Sequence, residues 1–174
     1  MSALQPDTVA RVAPAYNNRN NPHVFGLDAR EVFFQVDPLI LVEGQDDVVH
    51  YPQIAEQFGV TLPGSFYGWG VGGAGSMALI AQVVAELGFR RVAGLLDSDK
   101  VPEVARLTDA FPNYRFRAIP AIDVRDKDAR WATLAVDGLV DRRGRLKEEH
   151  TSALLSLLGD VVSHLRPTGN SSAG

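Results

Sequence analysis

The sequence predicts an α/β fold: a compact, parallel four-stranded sheet flanked by helices. Three observations predict it. The stretches Leu39-Ile40-Leu41-Val42 and Val92-Ala93-Gly94-Leu95-Leu96 are apolar without polar alternation, the pattern of strands covered on both faces. Strand-like and helix-like segments alternate four times along the chain. Both apolar strands run directly into acids, at Glu43-Gly44-Gln45-Asp46-Asp47 and Asp97-Ser98-Asp99, where open α/β sheets place their sites.

Residues 1–34 are expected to be an N-terminal extension or linker with little to anchor a core. Asn17-Asn18-Arg19-Asn20-Asn21-Pro22 reads as a polar loop, and Ala29 to Phe34 leads into the first strand. That strand spans about 39–43 and ends at Gly44. Asp46 or Asp47 is expected to cap a helix that runs to about Phe58, with Gly59 stopping it. A second strand over roughly 65–70 passes into a glycine-rich turn and an amphipathic helix from Ser76 to Leu87, closed by Gly88. The third strand is Val92 to Leu96. A short helix from Pro102 to about Ala110 tolerates its proline in the first turn. The fourth strand, Tyr114 to Ile119, ends at Pro120. A short helix near 126–135, a turn region from Gly138 to Gly144 and a last helix from Lys147 to Leu165 complete a domain over 35–166. The Gly/Ser/Asn-rich tail 167–174 is expected to be disordered.

At 174 residues and 45% hydrophobic, the chain is one domain's worth with enough apolar residues for a core. The net charge of −4 does not mark a nucleic-acid binder, but the charge is unevenly spread. Nine of the 17 basic residues fall between Arg115 and Lys147, against five acids there. That run is either a solvated face or a phosphate grip. Cysteine is absent, which excludes disulfides, thiolate metal sites and cysteine nucleophiles. The four histidines are scattered without metal-ligand spacing, which argues against zinc. No stretch approaches the roughly 20 apolar residues of a membrane span, and no signal pattern opens the chain. A cytoplasmic location is expected.

The acids carry the chemistry. If residues 97–99 are extended, Asp97 and Asp99 point the same way, so Glu43, Asp47, Asp97 and Asp99 surround one small volume. Four carboxylates cannot all stay ionised side by side without a cation. A hard divalent ion, Mg²⁺ or Mn²⁺, is the expected occupant.

Glu-Gly-x-x-Asp closing one strand and Asp-x-Asp closing a later one resembles the Toprim domain. That domain is shared by topoisomerases, DnaG-type primases, RecR-type repair proteins and the OLD (overcoming lysogenisation defect) family nucleases. Ile119-Pro120-Ala121-Ile122-Asp123-Val124-Arg125-Asp126-Lys127 is similar to the segment after the last core strand in OLD-type members. Asp137-Gly138-Leu139-Val140-Asp141-Arg142-Arg143-Gly144-Arg145-Leu146-Lys147 is similar to the glycine-bounded turn that follows it there. Arg30-Glu31-Val32-Phe33-Phe34 resembles the connection that leaves an ABC-type ATPase domain in that family. The resemblance spans about residues 29–165. It implies a Rossmann-like Toprim fold and a metal-dependent DNA endonuclease.

In that reading Glu43, Asp97 and Asp99 hold one divalent ion, and Asp47 with Asp123 holds a second. The late lysine Lys147, or else Lys100, neutralises charge on the scissile phosphate. Arg125, Lys127, Arg142, Arg143 and Arg145 contact DNA. The chain has no Gly-x-x-x-x-Gly-Lys-Ser/Thr phosphate loop, so ATP hydrolysis is not expected of it. It is expected to stand alone or to form the C-terminal piece of a longer protein, with an ABC-type ATPase domain or subunit as partner. A homodimer stays open. Tyr51, Tyr67 and Tyr114 sit in apolar segments as core or rim groups, and Trp69 and Trp131 are expected to pack rather than to serve as base-stacking platforms.

Two other readings compete. A RecR-like Toprim module would bind DNA or a partner without catalysis. Gly68-Trp69-Gly70-Val71-Gly72-Gly73 also fits the Gly-x-Gly-x-x-Gly fingerprint of a dinucleotide-binding oxidoreductase, with Asp97 as the ribose acid.

Overall fold

Strand β1 (Leu39–Val42) lies between β2 (Ser65–Phe66) and β3 (Val92–Leu96), and β4 (Arg115–Ala118) closes the far edge. All pairings are parallel, in the order β2-β1-β3-β4. The chain is a computed structural model that describes residues 5–10, 36–129 and 134–167.

The two central strands are buried along their whole length, as their unbroken apolar sequence requires. Alternation splits them between two cores. Leu39, Leu41, Val92 and Leu96 pack on one face with Met77, Ile80, Val84 and Leu107. Ile40, Val42, Ala93 and Leu95 pack on the other with Tyr51, Ile54, Leu154, Leu158 and Val161. Helices α2 (Ala74–Glu86) and α3 (Val101–Ala110) therefore cover the first face, and α1 (Gln45–Gln57) and α4 (Glu148–Leu165) cover the second. Gly94 pairs with Phe116, and a Cβ there would lie 2.4 Å from the Phe116 ring, so only glycine lets that ring settle over β3.

Most predicted elements form within two residues of their expected ends. The second strand is shorter than 65–70: Gly68 and Gly70 take φ of 50° and 91°, and such backbone cannot continue a ladder. The helix expected near 126–135 does not form over 126–129 or 134–135. Lys127 instead pairs with Val136 in an antiparallel bridge, and Arg125 bridges Val140. This stretch is spent on tying the segment after β4 to residues 136–140, just before the Asp141–Gly144 turn. Residues 6–10 form a helical turn with Thr8 buried. The Gln5 N–H donates to Glu86 Oε2 at 2.7 Å and the Thr8 hydroxyl bonds Glu86 Oε1, so this short piece is anchored at the end of α2. The expected loop 17–22, the lead-in 29–34 and the tail from 168 lie outside the described residues, as does Trp131. Among the described residues, no helix is long and apolar enough to cross a membrane.

The strand order decides where a site can be. From β1 the chain crosses to β2 on one side, and the later strands β3 and β4 lie on the other. The connections diverge between β1 and β3, and the crevice outside the carboxyl ends of two such strands is where open sheets bind ligands.

Candidate functional site

Glu43 follows β1 and Asp97 follows β3, so both stand at that crevice. Glu43 Oε1 accepts the Asp97 backbone N–H at 2.9 Å, and Oε2 accepts that of Ala74, the first residue of α2, at 3.2 Å. An aspartate's carboxyl lies within about 4 Å of its own nitrogen, so the Glu43 and Asp97 carboxylates are within about 7 Å of each other. The loop from Gly68 to Gly73 wraps this corner. Val71 N–H donates to Val42 O and Gly73 N–H to Glu43 O, both at 2.8 Å. Gly70 passes so close to Gly44 that a Cβ would lie 2.7 Å from its backbone.

The cap of α1 differs from expectation. Gly44 occupies the cap position, and Asp47, at the third helical residue, reaches back to accept the Gly44 N–H at 2.9 Å. That bond holds Asp47, only 8% exposed, in the crevice. Asp123 arrives from the segment after β4. Its carboxylate accepts the Arg125 N–H at 3.3 Å and the ammonium of Lys127.

Glu43, Asp47, Asp97 and Asp123 thus line one open cleft of about 380 Å³, with Asp46 at its rim and Lys127 as the cation among its lining residues. Burial, then the charges of Glu43, Asp47, Asp123 and Asp99, push the Asp97 carboxyl up to about 8. Burial also pushes Asp47 up to about 7. The Gly44 N–H opposes that shift, while Glu43, Asp123 and Asp46 add to it. The Tyr51 phenol is raised well above its ordinary value by burial and then by Asp47, Asp97, Glu43 and Asp123. Without a cation, this cleft holds protons near neutral pH. Its donors are all carboxylate oxygens, the donor set for a hard divalent ion such as Mg²⁺ or Mn²⁺.

Other predicted residues fall elsewhere. Ser98–Lys100 is a 3₁₀ turn rather than extended chain, so the alternation that placed Asp99 beside Asp97 does not hold. Asp99 is half exposed, bonds Lys100 Nζ at 2.5 Å, and is the weakest of the four charges acting on Asp97. Lys147 Nζ is held by Asp126 at 2.6 Å and by Asp137, and it does not line the acid cleft. Although burial favours the neutral form of Asp126, bonds from Lys147 and the Gly138 N–H bring its carboxyl below the usual range. The lysine in the acid cleft is Lys127, for which the sequence predicts only a DNA contact.

Arg125, Lys127 and Arg142 line a second, adjoining cleft of about 690 Å³. Arg125 Nε also bonds Asp46 at 2.7 Å, and Arg142 pairs with Asp128. Arg143 and Arg145 are exposed on the turn that Asp141 shapes by accepting their backbone N–H groups at 2.7 and 3.0 Å. Lys127 lines both clefts, and the second also carries Asp126, Asp128 and Asp141, so its lining is of mixed charge.

Among the described residues, three acid or histidine ligand atoms lie within 4.8 Å of one another at Asp137, Glu149 and His150, not at the sheet edge. Sequence spacing hides this group because Asp137 comes from a different segment than the Glu149-His150 pair. Its Asp137 is already bonded to Lys147. The sheet-edge acids stay farther apart because their oxygens are committed to the N–H groups of Asp97, Ala74 and Gly44 and to Lys127. No family model matches this chain, and no curated protein or solved structure matches it.

Proposed function

We propose that this protein is a divalent-metal-dependent DNA endonuclease of the OLD-like Toprim type, cleaving phosphodiesters. One observation carries the reading: Glu43, Asp47, Asp97 and Asp123 gather in one cleft at the switch point of a parallel sheet, and burial with mutual repulsion disfavours their full ionisation.

Glu43, Asp47, Asp97 and Asp123 would hold one or two Mg²⁺ or Mn²⁺ ions, while Asp99 lies outside that lining and acts on Asp97 only by its charge. Such ions activate water and stabilise charge on the phosphoryl oxygens of an in-line displacement. Glu43 is aimed by its two backbone donors, and Asp47 by the Gly44 N–H. Asp47 and Asp97, whose protons are held to about pH 7 and 8, would give them up to bind a cation. Lys127, released from Asp123, neutralises the phosphate in the role first expected of Lys147. Arg142, Arg143 and Arg145 hold the flanking phosphates. An ABC-type ATPase is the partner that the resemblance implies.

The non-catalytic, RecR-like reading has one observation in its favour: Lys127 already neutralises Asp123, which partly compensates the cleft without metal. The dinucleotide reading is disfavoured by Glu43. Its carboxylate occupies the N–H at the start of α2, where a pyrophosphate following the Gly68–Gly73 loop would bind.

Incubation of the purified protein with supercoiled plasmid and Mg²⁺ or Mn²⁺ tests the proposal. Nicked or linear product is expected with metal, none with chelator and none from Asp97→Asn. Intact plasmid under all metal conditions, with salt-sensitive DNA binding retained, would select the non-catalytic reading.

A further inference from the structure

Trp69 was expected to pack, yet its side chain is 57% exposed. It stands at the apex of a tight corner, with Gly68 and Gly70 paired across it at φ of 50° and 91°. Both chain neighbours are glycines, so neither contributes a side chain that could cover the indole. The corner itself is fixed. Gly70 N–H donates to Tyr67 O at 3.0 Å, Val71 N–H to Val42 O at 2.8 Å, and Gly70 abuts the Gly44 backbone. With consecutive Cα atoms about 3.8 Å apart, the Trp69 Cα lies within about 8 Å of that of Gly44, which lines the acid cleft.

The geometry points to Trp69 as a stacking platform for an unpaired nucleobase beside the acid cleft, which makes single-stranded or locally unpaired DNA the substrate class. A rigid indole with a free face binds any base by its π-surface, and a paired duplex offers only base edges. Here the chain neighbours are glycines, and Gly44, on which Gly70 packs, lines the open, charged cleft. The inference rests on the reading of that cleft as a phosphodiester site.

Binding of oligonucleotides in chelator tests it apart from catalysis. The probes are a single-stranded oligonucleotide and the same sequence as a blunt duplex, with wild type, Trp69→Phe and Trp69→Ala. The single strand should quench tryptophan emission in the wild type, and the quench should vanish in Trp69→Phe. Trp69→Ala should weaken single-strand binding about tenfold or more, Trp69→Phe should stay within a few-fold, and duplex binding should be unchanged in both. Trp69 lies outside both cores, so matching melting curves should accompany these effects. If Trp69→Ala binds the single strand as wild type does while reversal of Arg142 and Arg143 weakens it, the platform is overturned and the nuclease reading stands. If neither DNA form binds at low salt, both fall. If Trp69→Ala abolishes self-association and leaves DNA binding intact, the indole is a protein contact and the inference is overturned.

Discussion

The Glu43 carboxylate joins two strand ends and a helix start: Oε1 accepts the Asp97 N–H at 2.9 Å, and Oε2 accepts the Ala74 N–H at 3.2 Å. The acid that opens the Glu43–Asp47 stretch therefore ties β1, β3 and α2 together at the cleft. The ligand role proposed for Glu43 and this architectural role fall on one side chain.

Removing that carboxylate leaves two part-buried donors unpaired. Glu43→Ala should cost about 1–3 kcal/mol of stability, and Glu43→Gln, which keeps one acceptor oxygen, should cost less. Urea unfolding in chelator measures both. A Glu43→Ala midpoint equal to wild type would mean these bonds do not hold the site together.

The raised acids set the pH dependence of the metal-free protein. Asp97 and Asp47 titrate in the folded state at about 8 and 7, above the ordinary aspartate value of 3.8. Their protonated forms favour the native state, so this contribution is full below pH 3.8 and is lost as pH rises through 7 and 8. Asp97→Asn should be more stable than wild type in chelator, with the difference growing from pH 5 to pH 8. Millimolar Mg²⁺ or Mn²⁺ should raise the wild-type Tm at pH 8 and leave that of Asp97→Asn nearly unmoved. A wild-type Tm indifferent to both ions would leave the cleft without a cation.

The two lysines should separate cleanly. Lys127→Met removes the ammonium that competes for Asp123, so calorimetric titration should show tighter Mn²⁺ binding while plasmid cleavage falls. Lys147→Met strips the partner from Asp126 and Asp137 and should lower stability with metal affinity unchanged. The reverse pattern would return the phosphate-facing role to Lys147.

Gly70→Ala tests the corner that carries both the cleft wall and Trp69. The new Cβ meets Gly44 backbone at 2.7 Å with φ at +91°, and neither flexible side chains nor open space can absorb it. A loss of roughly 1–3 kcal/mol is expected in thermal unfolding, with the metal response weakened as well. Wild-type stability would show that the loop can lift away from Gly44.

Local information was enough for much of this molecule. The apolar runs 39–42 and 92–96 could only be doubly covered strands, and Glu43 and Asp97 follow them directly, so the two leading acids were legible in the sequence. Gly59 and Gly88, at φ of 65° and 92°, closed their helices where turn chemistry placed them. Tyr51, Tyr67 and Tyr114 were legible as buried groups for the same reason of apolar context. Tertiary structure decided the rest. Strand order made β1 and β3 neighbours at the switch point, and no local pattern encodes that order. A 3₁₀ turn after Asp97 moved Asp99 toward solvent, while a bond to Gly44 N–H kept Asp47 inside. Lys127 displaced Lys147 from the cleft because the chain after β4 folds into bridges instead of a helix. Trp69 stands at the surface, 57% exposed, beside a Gly70 whose backbone packs against Gly44 from a distant part of the chain. Each of these outcomes depends on partners far apart in the chain, and pairings of that kind are settled only when the whole sheet and its covering helices assemble.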